Sequence, residues 1–230
     1  MHMYKLEAYL MEYFQRLFSN IQDNLQLLLG VIRQRQQIKK PLIILGPSGV
    51  GKDTMIKKLM KKYPKLFYKL PSYTTRSIRE GEKEGIDFYF ISKEEFIRKK
   101  NDGKLFGIQE YNNNFYATDK NIIKEAITKY DKILLLNYNI ETVNRIKNKV
   151  DFNYIALLPT CEDELEKRLI KKNIKPDEIN KRMNLCINEI KLINESNYIN
   201  YRVVNDDENE CFKKLERNIK ALYPQYFVDL

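Results

Sequence analysis

One stretch of the chain reads Leu42-Ile43-Ile44-Leu45-Gly46-Pro47-Ser48-Gly49-Val50-Gly51-Lys52-Asp53-Thr54. It opens with a short apolar run, continues through a glycine-rich loop, and leads into an amphipathic run that extends to Lys62. A short apolar run is typical of a buried strand, and the amphipathic run has the period of a helix. The stretch therefore predicts a strand, a glycine loop and a helix, in that order.

The glycine loop has the chemistry of a polyphosphate cradle. Glycines allow consecutive backbone N–H groups to point inward, the start of the helix adds positive partial charge, and Lys52 adds a full charge. We predict that the loop binds the phosphates of ATP or GTP and that Lys52 acts in catalysis. The predicted phosphate-binding residues are Gly46, Pro47, Ser48, Gly49, Val50, Gly51, Lys52, Asp53 and Thr54.

The residue that follows Lys52 affects how Mg²⁺ would be held. Loops of this kind usually have Ser or Thr there, whose hydroxyl ligates Mg²⁺. This chain has Asp53 at that place and Thr54 one step later. A carboxylate can hold the metal through a water, although it also places negative charge beside the phosphates. We expect Mg²⁺ to accompany ATP, with Asp53 and Thr54 as candidate ligands.

Three further apolar runs read as buried strands: Ile133–Leu136, Tyr154–Leu158 and Tyr201–Val204. Strands that alternate with longer amphipathic stretches predict an α/β fold, a parallel sheet flanked by helices. The stretch from Ser72 to about Thr118 breaks this alternation and is rich in Tyr, Phe, Asn and charge. It predicts an inserted lobe over about residues 73–118 of a domain that spans residues 41–230.

Residues 1–40 carry a different pattern. Apolar residues recur at steps of three and four, which predicts an amphipathic helical extension; examples are Leu6, Leu10, Leu17, Ile21 and Leu25. Two roles stay open for it: packing on its own domain, or self-association and partner contact. Its acidic residues are unlike a transit peptide, and it lacks the layout of a secretory signal.

Composition narrows the function classes. The chain has 41 Lys+Arg against 31 Asp+Glu, a net charge of +10, which suits polyanionic ligands such as nucleotides. No nucleic-acid motif accompanies this charge, so we expect no nucleic-acid partner. The only histidine is His2. We therefore do not expect catalysis by an imidazole base or a His-bound metal, which leaves carboxylates, cations, backbone amides or a borrowed metal ion.

The cysteines and the hydropathy pattern bear on location. Cys161, Cys186 and Cys211 lie far apart without a CxxC pair, which argues against a zinc site and for reduced thiols. No apolar run reaches the roughly 18 residues that a membrane span needs. We expect a soluble, cytoplasmic protein without a membrane partner.

Several segments resemble the guanylate kinase family in order and spacing. They are Gly46–Lys52, Ser72–Arg76 with Arg79, Gly81, Glu82 and Gly85, Asp87–Phe90, Asn114–Thr118, Glu166–Leu169, Asn180–Met183 and Val203–Asp207. The resemblance leaves only the N-terminal extension uncovered. It implies a P-loop kinase that transfers a phosphoryl group from ATP to GMP, with an inserted acceptor-binding lobe and a helical lid over about residues 170–182.

The resemblance also implies roles for individual residues. Arg76 and Arg79 bracket a turn and can hold a phosphate through forked, charge-assisted hydrogen bonds. Where the family usually has Arg, Lys172 keeps the charge and loses the fork. The implied acceptor-binding residues are Ser72, Arg76, Arg79, Glu82, Tyr116, Thr118 and Asn139; the catalytic cations are Lys52, Arg168, Lys172 and Arg182; Asn205 lies in the segment that meets the adenine of ATP.

The chain departs from the family pattern on the acceptor side. Gly107 stands where the family has a carboxylate that binds guanine, with Gln109 or Glu110 as substitutes if the loop is shifted. Asn137 and Asn139 stand where the family has acidic residues, and neutral amides hold Mg²⁺ less well. Phe88 replaces a tyrosine that reaches the acceptor phosphate.

These departures keep other functions open. Ribose 1,5-bisphosphate phosphokinases are similar in fold and share the sequence Gly51-Lys52-Asp53-Thr54 and an asparagine like Asn137. The alternatives to a GMP kinase are a kinase for another phosphate-bearing acceptor, such as ribose 1,5-bisphosphate, and a catalytically weak guanylate kinase-like binding module.

Overall fold

The computed structural model describes residues 14–19, 21–22, 24–26, 39–111, 113–129, 131–170 and 176–227. The chain divides into two compact units, residues 1–38 and 39–230. In the first unit the described residues, all between positions 14 and 26, are helical. The rest of the predicted extension lies outside the described residues.

A five-stranded parallel sheet forms the centre of the second unit, with the strand order β2-β7-β1-β8-β9. Its strands are β1 (Leu42–Leu45), β2 (Phe67–Lys69), β7 (Ile133–Tyr138), β8 (Asn153–Pro159) and β9 (Tyr201–Asn205). The four strands predicted from apolar runs are confirmed. β2 was not predicted, because three residues are too few to show a period.

Helices cover both faces of this sheet, which confirms the α/β class. They are α1 (Lys52–Lys62), α2 (Lys93–Asn101), α3 (Lys120–Lys129), α4 (Ile140–Ile146), α5 (Glu162–Ile170), α6 (Pro176–Glu195) and α7 (Glu208–Leu222), followed by a short 3-10 turn at Pro224–Tyr226. α2 lies within the inserted segment. Among the described residues no helix is both long and apolar enough to cross a membrane.

The alternation of side chains along β1 divides the core. Leu42 and Ile44 pack on one face with α1 and α7, whereas Ile43 and Leu45 pack on the other with α3 and α4. Successive side chains of a strand point to opposite faces, so a fully apolar β1 requires cover on both. The sheet is therefore buried, and its carboxyl-terminal edge is where loops carry polar residues.

The inserted segment forms a second, four-stranded sheet with the order β4-β3-β6-β5. Its strands are β3 (Ser72–Thr74), β4 (Phe88–Phe90), β5 (Leu105–Tyr111) and β6 (Asn114–Asp119). β3 pairs parallel with β4 and antiparallel with β6, and β5 pairs antiparallel with β6. We call this segment, residues 72–119, the acceptor lobe.

Candidate functional site

The glycine loop follows β1 directly and ends where α1 begins at Lys52. Lys52 is partly buried, and its Nζ donates to the backbone oxygens of Gly46 at 2.6 Å and Pro47 at 2.9 Å. The ammonium group thus lies inside the loop that would hold the phosphates. A phosphate that enters the loop exchanges these neutral carbonyl partners for charged oxygens, which bind an ammonium more strongly.

Asn205, at the end of β9, makes a hydrogen bond to the backbone of this loop. Its Nδ2 donates to the Val50 oxygen at 2.7 Å, and the residue is buried. Gly51 has φ 103°, and a Cβ there would lie 2.6 Å from Asn205 Nδ2. Arg168 in α5 donates from Nη2 to the Asn205 oxygen at 3.0 Å. Asn205 therefore contacts the loop backbone itself, and a role beside the adenine stays a prediction.

Asp53 and Thr54 lie exposed in the first turn of α1. Asn137, at the end of the adjacent strand β7, donates from Nδ2 to Asp53 Oδ1 at 3.0 Å. Among the described residues no group of three or more His, Cys, Asp or Glu side chains could hold a metal. Mg²⁺ needs no such cage, because it is usually held by one or two carboxylates together with substrate phosphates and waters. The exposed Asp53 carboxylate beside the loop fits that requirement.

A bidentate ion pair organises the turn in the acceptor lobe. Arg76 donates from Nη1 to Glu82 Oε2 at 2.9 Å and from Nη2 to Glu82 Oε1 at 2.8 Å, and the Arg79 backbone N–H donates to Glu82 Oε2 at 2.9 Å. The hydrogen bonds to Glu82 raise the pKa of Arg76, and those from Arg76 lower the pKa of Glu82. The structure thus brings together three of the predicted acceptor residues.

Phenyl rings take part in the same cluster. The Arg76 guanidinium lies 5.2 Å from the ring centre of Phe88 and 5.7 Å from that of Phe90. Tyr116 packs its ring against Phe88 at 6.0 Å, and its hydroxyl adds to the rise in the pKa of Arg76. Phe88 therefore supports the arginine through its ring face, in place of the hydrogen bond that a tyrosine could make.

A chain of hydroxyl groups runs across the lobe. Ser72 Oγ lies 3.1 Å from Thr118 Oγ1, which lies 3.3 Å from the hydroxyl oxygen of Tyr138. Ser72 and Thr118, both predicted acceptor residues, are adjacent in the structure; acceptor binding by them stays a prediction. Tyr138 belongs to β7 of the central sheet and was not predicted.

Asn139 and Gln109 make hydrogen bonds where β5 meets the end of β7 and the start of α4. Asn139 caps α4, since its Oδ1 accepts from the Thr142 N–H at 2.9 Å. Gln109 Oε1 accepts from the backbone N–H of Asn139 at 2.9 Å, and Gln109 Nε2 donates to the backbone oxygen of Asn137 at 3.3 Å. The Gln109 amide thus joins β5 to the end of β7 through two backbone hydrogen bonds, and its substitution for a carboxylate at Gly107 stays a prediction. Acceptor binding by Asn139 stays a prediction.

The predicted lid, about residues 170–182, begins at the end of α5 and ends within α6, and residues 171–175 lie outside the described residues. Arg168 pairs through Nε with Glu164 at 3.1 Å, and Arg182 pairs through Nη2 with Glu178 at 2.9 Å. Arg182 Nε is buried without a hydrogen-bond partner among the described residues. Lys172, the remaining predicted cation, lies outside the described residues.

Helix α6, the glycine loop and the acceptor lobe meet at Tyr111, which sequence reasoning missed. Its hydroxyl lies 2.7 Å from Ser48 Oγ in the loop, and the Arg182 guanidinium lies 5.3 Å from its ring centre. Cys186 of α6 also contacts the loop, since its Sγ donates to the backbone carbonyl oxygen of Ser48 at 3.8 Å. No local pattern marks Tyr111 in the sequence, because its role comes from a contact between distant segments.

Glu189 in α6 was also missed. Burial raises its pKa to about 7, assisted by the nearby charge of Glu141 and opposed by that of Lys52. The carboxyl group therefore lies close enough to Lys52 to share its electrostatic environment.

Residues 38–222 match the family model described as guanylate kinase. The chain belongs to the guanylate kinase family. It is 38% identical over 192 residues to a guanylate kinase of Blochmanniella floridana, covering 80% of this chain and 90% of that protein. It is 32% identical over 190 residues to guanylate kinase 1 of Oryza sativa subsp. japonica, covering 82% of this chain and 49% of the rice protein, so it spans about half the length of that relative.

A solved structure supports the fold assignment. The crystal structure of guanylate kinase from Anaplasma phagocytophilum matches with a TM-score of 0.60 at 24% identity, covering 79% of this chain and 85% of that one. At this level of identity the match shows the fold of a guanylate kinase. The first 37 residues lie outside the match to the family model, which begins at residue 38.

Proposed function

We propose that this guanylate kinase family member transfers the terminal phosphoryl group of ATP to GMP, giving ADP and GDP. The observation that carries the proposal is the direct contact between the two half-sites: Tyr111 of the acceptor lobe meets Ser48 of the glycine loop at 2.7 Å. We propose that this contact brings a phosphate held by the Arg76 cluster and one held by the loop into one cleft. Such proximity is what an in-line transfer requires.

The reaction forms one bond and breaks one. An oxygen of the GMP phosphate attacks the γ-phosphorus of ATP, and the bond from that phosphorus to the β,γ-bridging oxygen breaks, so ADP leaves. Lys52 brings a cation into the loop, since its Nζ donates to the backbone oxygens of Gly46 and Pro47. Its charge stabilises the negative charge that spreads over the transferred group.

Arg76 and Arg79 orient the acceptor. Glu82 holds the Arg76 fork in one plane through two hydrogen bonds, which reduces the entropy lost when a phosphate binds. We propose that Ser72, Tyr116 and Thr118 complete the acceptor site, since Tyr116 packs on Phe88 beside Arg76 and Ser72 lies beside Thr118. Asn139 is retained as a proposed acceptor residue through its amide nitrogen, since its Oδ1 already caps α4.

We expect the phosphates of ATP and a small number of protein oxygens to hold Mg²⁺. We propose that Asp53, with Thr54 beside it, holds the ion directly or through water. When bound, Mg²⁺ neutralises charge on the phosphates and polarises the transferred group. Asn137 keeps the Asp53 carboxylate oriented toward the end of β7 by its hydrogen bond to Oδ1.

The lid supplies further cations. Arg168 and Arg182 are partly buried, and each is paired with a glutamate four residues earlier in its helix. We propose that both turn toward ATP phosphates when the lid closes, with Lys172 as a third cation, and that closure excludes water from the transferred group. Asn205, which supports the loop, is the proposed contact on the adenine side.

Location and assembly complete the proposal. Cys186 and Cys211 belong to different apolar clusters, so neither is placed to form a disulfide with the other. Free thiols of this kind suit the cytoplasm, where we place the enzyme. Self-association through residues 1–40 is a further proposal, which analytical ultracentrifugation of the full chain with and without these residues would test.

The test is an assay of ADP release with ATP and Mg²⁺, with GMP, dGMP, AMP, UMP, CMP and ribose 1,5-bisphosphate in separate reactions. We expect release with GMP, and its loss in Lys52→Ala. Release specific to another acceptor would replace GMP in the proposal. ATP binding without release for any acceptor would favour a binding module.

A further inference from the structure

Gly107 lies at an irregularity in the acceptor lobe. The pairing of β5 with β6 shifts between Phe106 and Gln109, so that two residues of β5 oppose one of β6. Gly107 has φ 63°, a conformation that residues with a side chain rarely adopt. Bulges of this kind bend a strand and redirect neighbouring side chains, and they are frequent beside active sites.

The space that a side chain at Gly107 would need is filled by Tyr138. A Cβ at Gly107 would lie 2.6 Å from both Cε1 and the hydroxyl oxygen of Tyr138, closer than atoms of two side chains approach. Tyr138 is 2% exposed and comes from the central sheet. The bulge and the tyrosine are thus complementary: the ring enters the acceptor lobe only because residue 107 has no side chain.

The hydroxyl of Tyr138 has one partner within reach among the described residues, Thr118 Oγ1 at 3.3 Å. Burial raises the pKa of Tyr138 to about 12, so the phenol keeps its proton. The distance allows either hydroxyl to donate. Thr118 Oγ1 is the one acceptor within reach in the described part of the chain, and a buried O–H that donates to no acceptor is costly, so we infer that Tyr138 donates to Thr118. Thr118, which is 1% exposed, must then direct its own proton elsewhere, toward Ser72 or toward a bound acceptor.

Gln109 restrains the backbone on either side of Tyr138 in the sequence. Its amide contacts the backbone of the residues before and after Tyr138, accepting from the Asn139 N–H and donating to the Asn137 oxygen. Tyr138 therefore has little freedom to withdraw from the lobe. The orientation of the Thr118 hydroxyl is a consequence of how the two sheets are joined.

We propose that Tyr138 is a positioning residue of the acceptor pocket, which fixes Thr118 as a hydrogen-bond donor toward the acceptor. The proposal rests on the proposed function, because it takes Thr118 to be an acceptor residue. It names a determinant of acceptor affinity that lies in the central sheet, outside the acceptor lobe.

Tyr138→Phe is the test, because it removes the hydroxyl and keeps the ring. We expect KM for the acceptor to rise about three- to tenfold, the range that loss of one hydrogen bond gives, with kcat and KM for ATP within about twofold of wild type. Thr118→Val should weaken acceptor binding at least as much. The double variant should bind no worse than Thr118→Val alone, since both changes remove the same interaction.

Two matched controls accompany the test. Tyr154→Phe removes another buried hydroxyl, which has no hydrogen-bond partner among the described residues, and should leave both KM values unchanged. Gly107→Ala should displace the Tyr138 ring and raise the acceptor KM. Gly103→Ala has a similar φ of 67° but nothing within 4 Å of its Cβ, so it should leave KM unchanged.

The outcomes separate this proposal from the function on which it rests. If wild type phosphorylates a different acceptor, the GMP assignment fails, and Tyr138→Phe is read with that acceptor; if wild type only binds GMP, the calorimetric Kd replaces KM. An unchanged acceptor KM or Kd in Tyr138→Phe overturns the proposal. Additive effects of Tyr138→Phe and Thr118→Val, or equal losses for ATP and acceptor, also overturn it.

Discussion

The Asn137 amide donates a hydrogen bond to the Asp53 carboxylate across the ends of β7 and α1, with 3.0 Å between Nδ2 and Oδ1. This pair joins two positions that are far apart in the chain and that both depart from the family pattern. The negative charge near the phosphates therefore comes from α1, and the neighbouring strand supplies a neutral donor. Charge at this place governs how tightly Mg²⁺ is held.

Asp53→Asn should weaken the use of Mg²⁺ and spare the binding of ATP itself. We expect the Mg²⁺ concentration for half-maximal activity to rise about three- to tenfold, because one charged oxygen ligand is lost. ATP binding in EDTA, measured by calorimetry, should be unchanged or tighter. Asp163→Asn, an exposed change in α5, is the control. An unchanged Mg²⁺ dependence in Asp53→Asn would remove Asp53 from the metal site.

Lys52→Ala should abolish most turnover. Removing one preorganised cation from the transferred phosphoryl group is expected to lower kcat about 10²- to 10³-fold. Lys57→Ala changes an exposed lysine of the same helix and should leave kcat unchanged. The measurement is steady-state ADP release, with circular dichroism to confirm folding. A kcat for Lys52→Ala within about tenfold of wild type would contradict the assigned role.

Arg76→Lys should act on the acceptor and leave ATP binding alone. The lysine keeps the charge and loses the planar fork that Glu82 holds with two hydrogen bonds. We expect KM for GMP to rise about tenfold or more, with KM for ATP unchanged. Arg98→Lys, an exposed position in α2, is the matched control. Equal effects of Arg76→Lys on both substrates would point to misfolding of the lobe.

Gly51→Ala should destabilise the domain through its contact with Asn205. The added Cβ would lie 2.6 Å from Asn205 Nδ2, and φ 103° is strained for alanine. We expect the free energy of unfolding to fall by about 2–4 kcal/mol in urea titrations. Gly81→Ala shares a positive φ but meets nothing within 4 Å, so it should cost about 1 kcal/mol. Equal losses in the two variants would show that strain alone matters.

Glu189 should make stability depend on pH. Burial raises its pKa in the folded state to about 7, above the ordinary value of 4.5, so the folded state binds more protons between these values. The free energy of unfolding should therefore fall as pH rises through this window, by on the order of 1–3 kcal/mol.

Glu189→Gln should remove that dependence and be the more stable protein above pH 7. Urea titrations from pH 4.5 to 8 test this, with the exposed Glu195→Gln as the control for charge on the same helix. A parallel pH profile in wild type and Glu189→Gln would show that the carboxyl group is not desolvated.

The local sequence determined the fold class and the phosphate loop, because both depend on short-range patterns. The strand Leu42–Leu45, the glycines and Lys52 are contiguous, and their order alone specifies a cradle at a helix start. Arg76 and Glu82 are likewise close in the sequence, six residues apart, and form an ion pair. The resemblance to guanylate kinases named Ser72 and Thr118 as acceptor residues, and the structure brings their hydroxyl groups together.

Only the tertiary structure decided the contacts between distant segments. Tyr111 against Ser48, Asn137 against Asp53, and Tyr138 beneath Gly107 join residues that no periodicity relates. Side-chain orientation at such places depends on how two sheets meet, which is a property of packing. In the sequence, Gly107 stands out only as the loss of the carboxylate that the family has there. In the structure, the Tyr138 ring occupies the space that a side chain at position 107 would need, and two groups cannot occupy one volume.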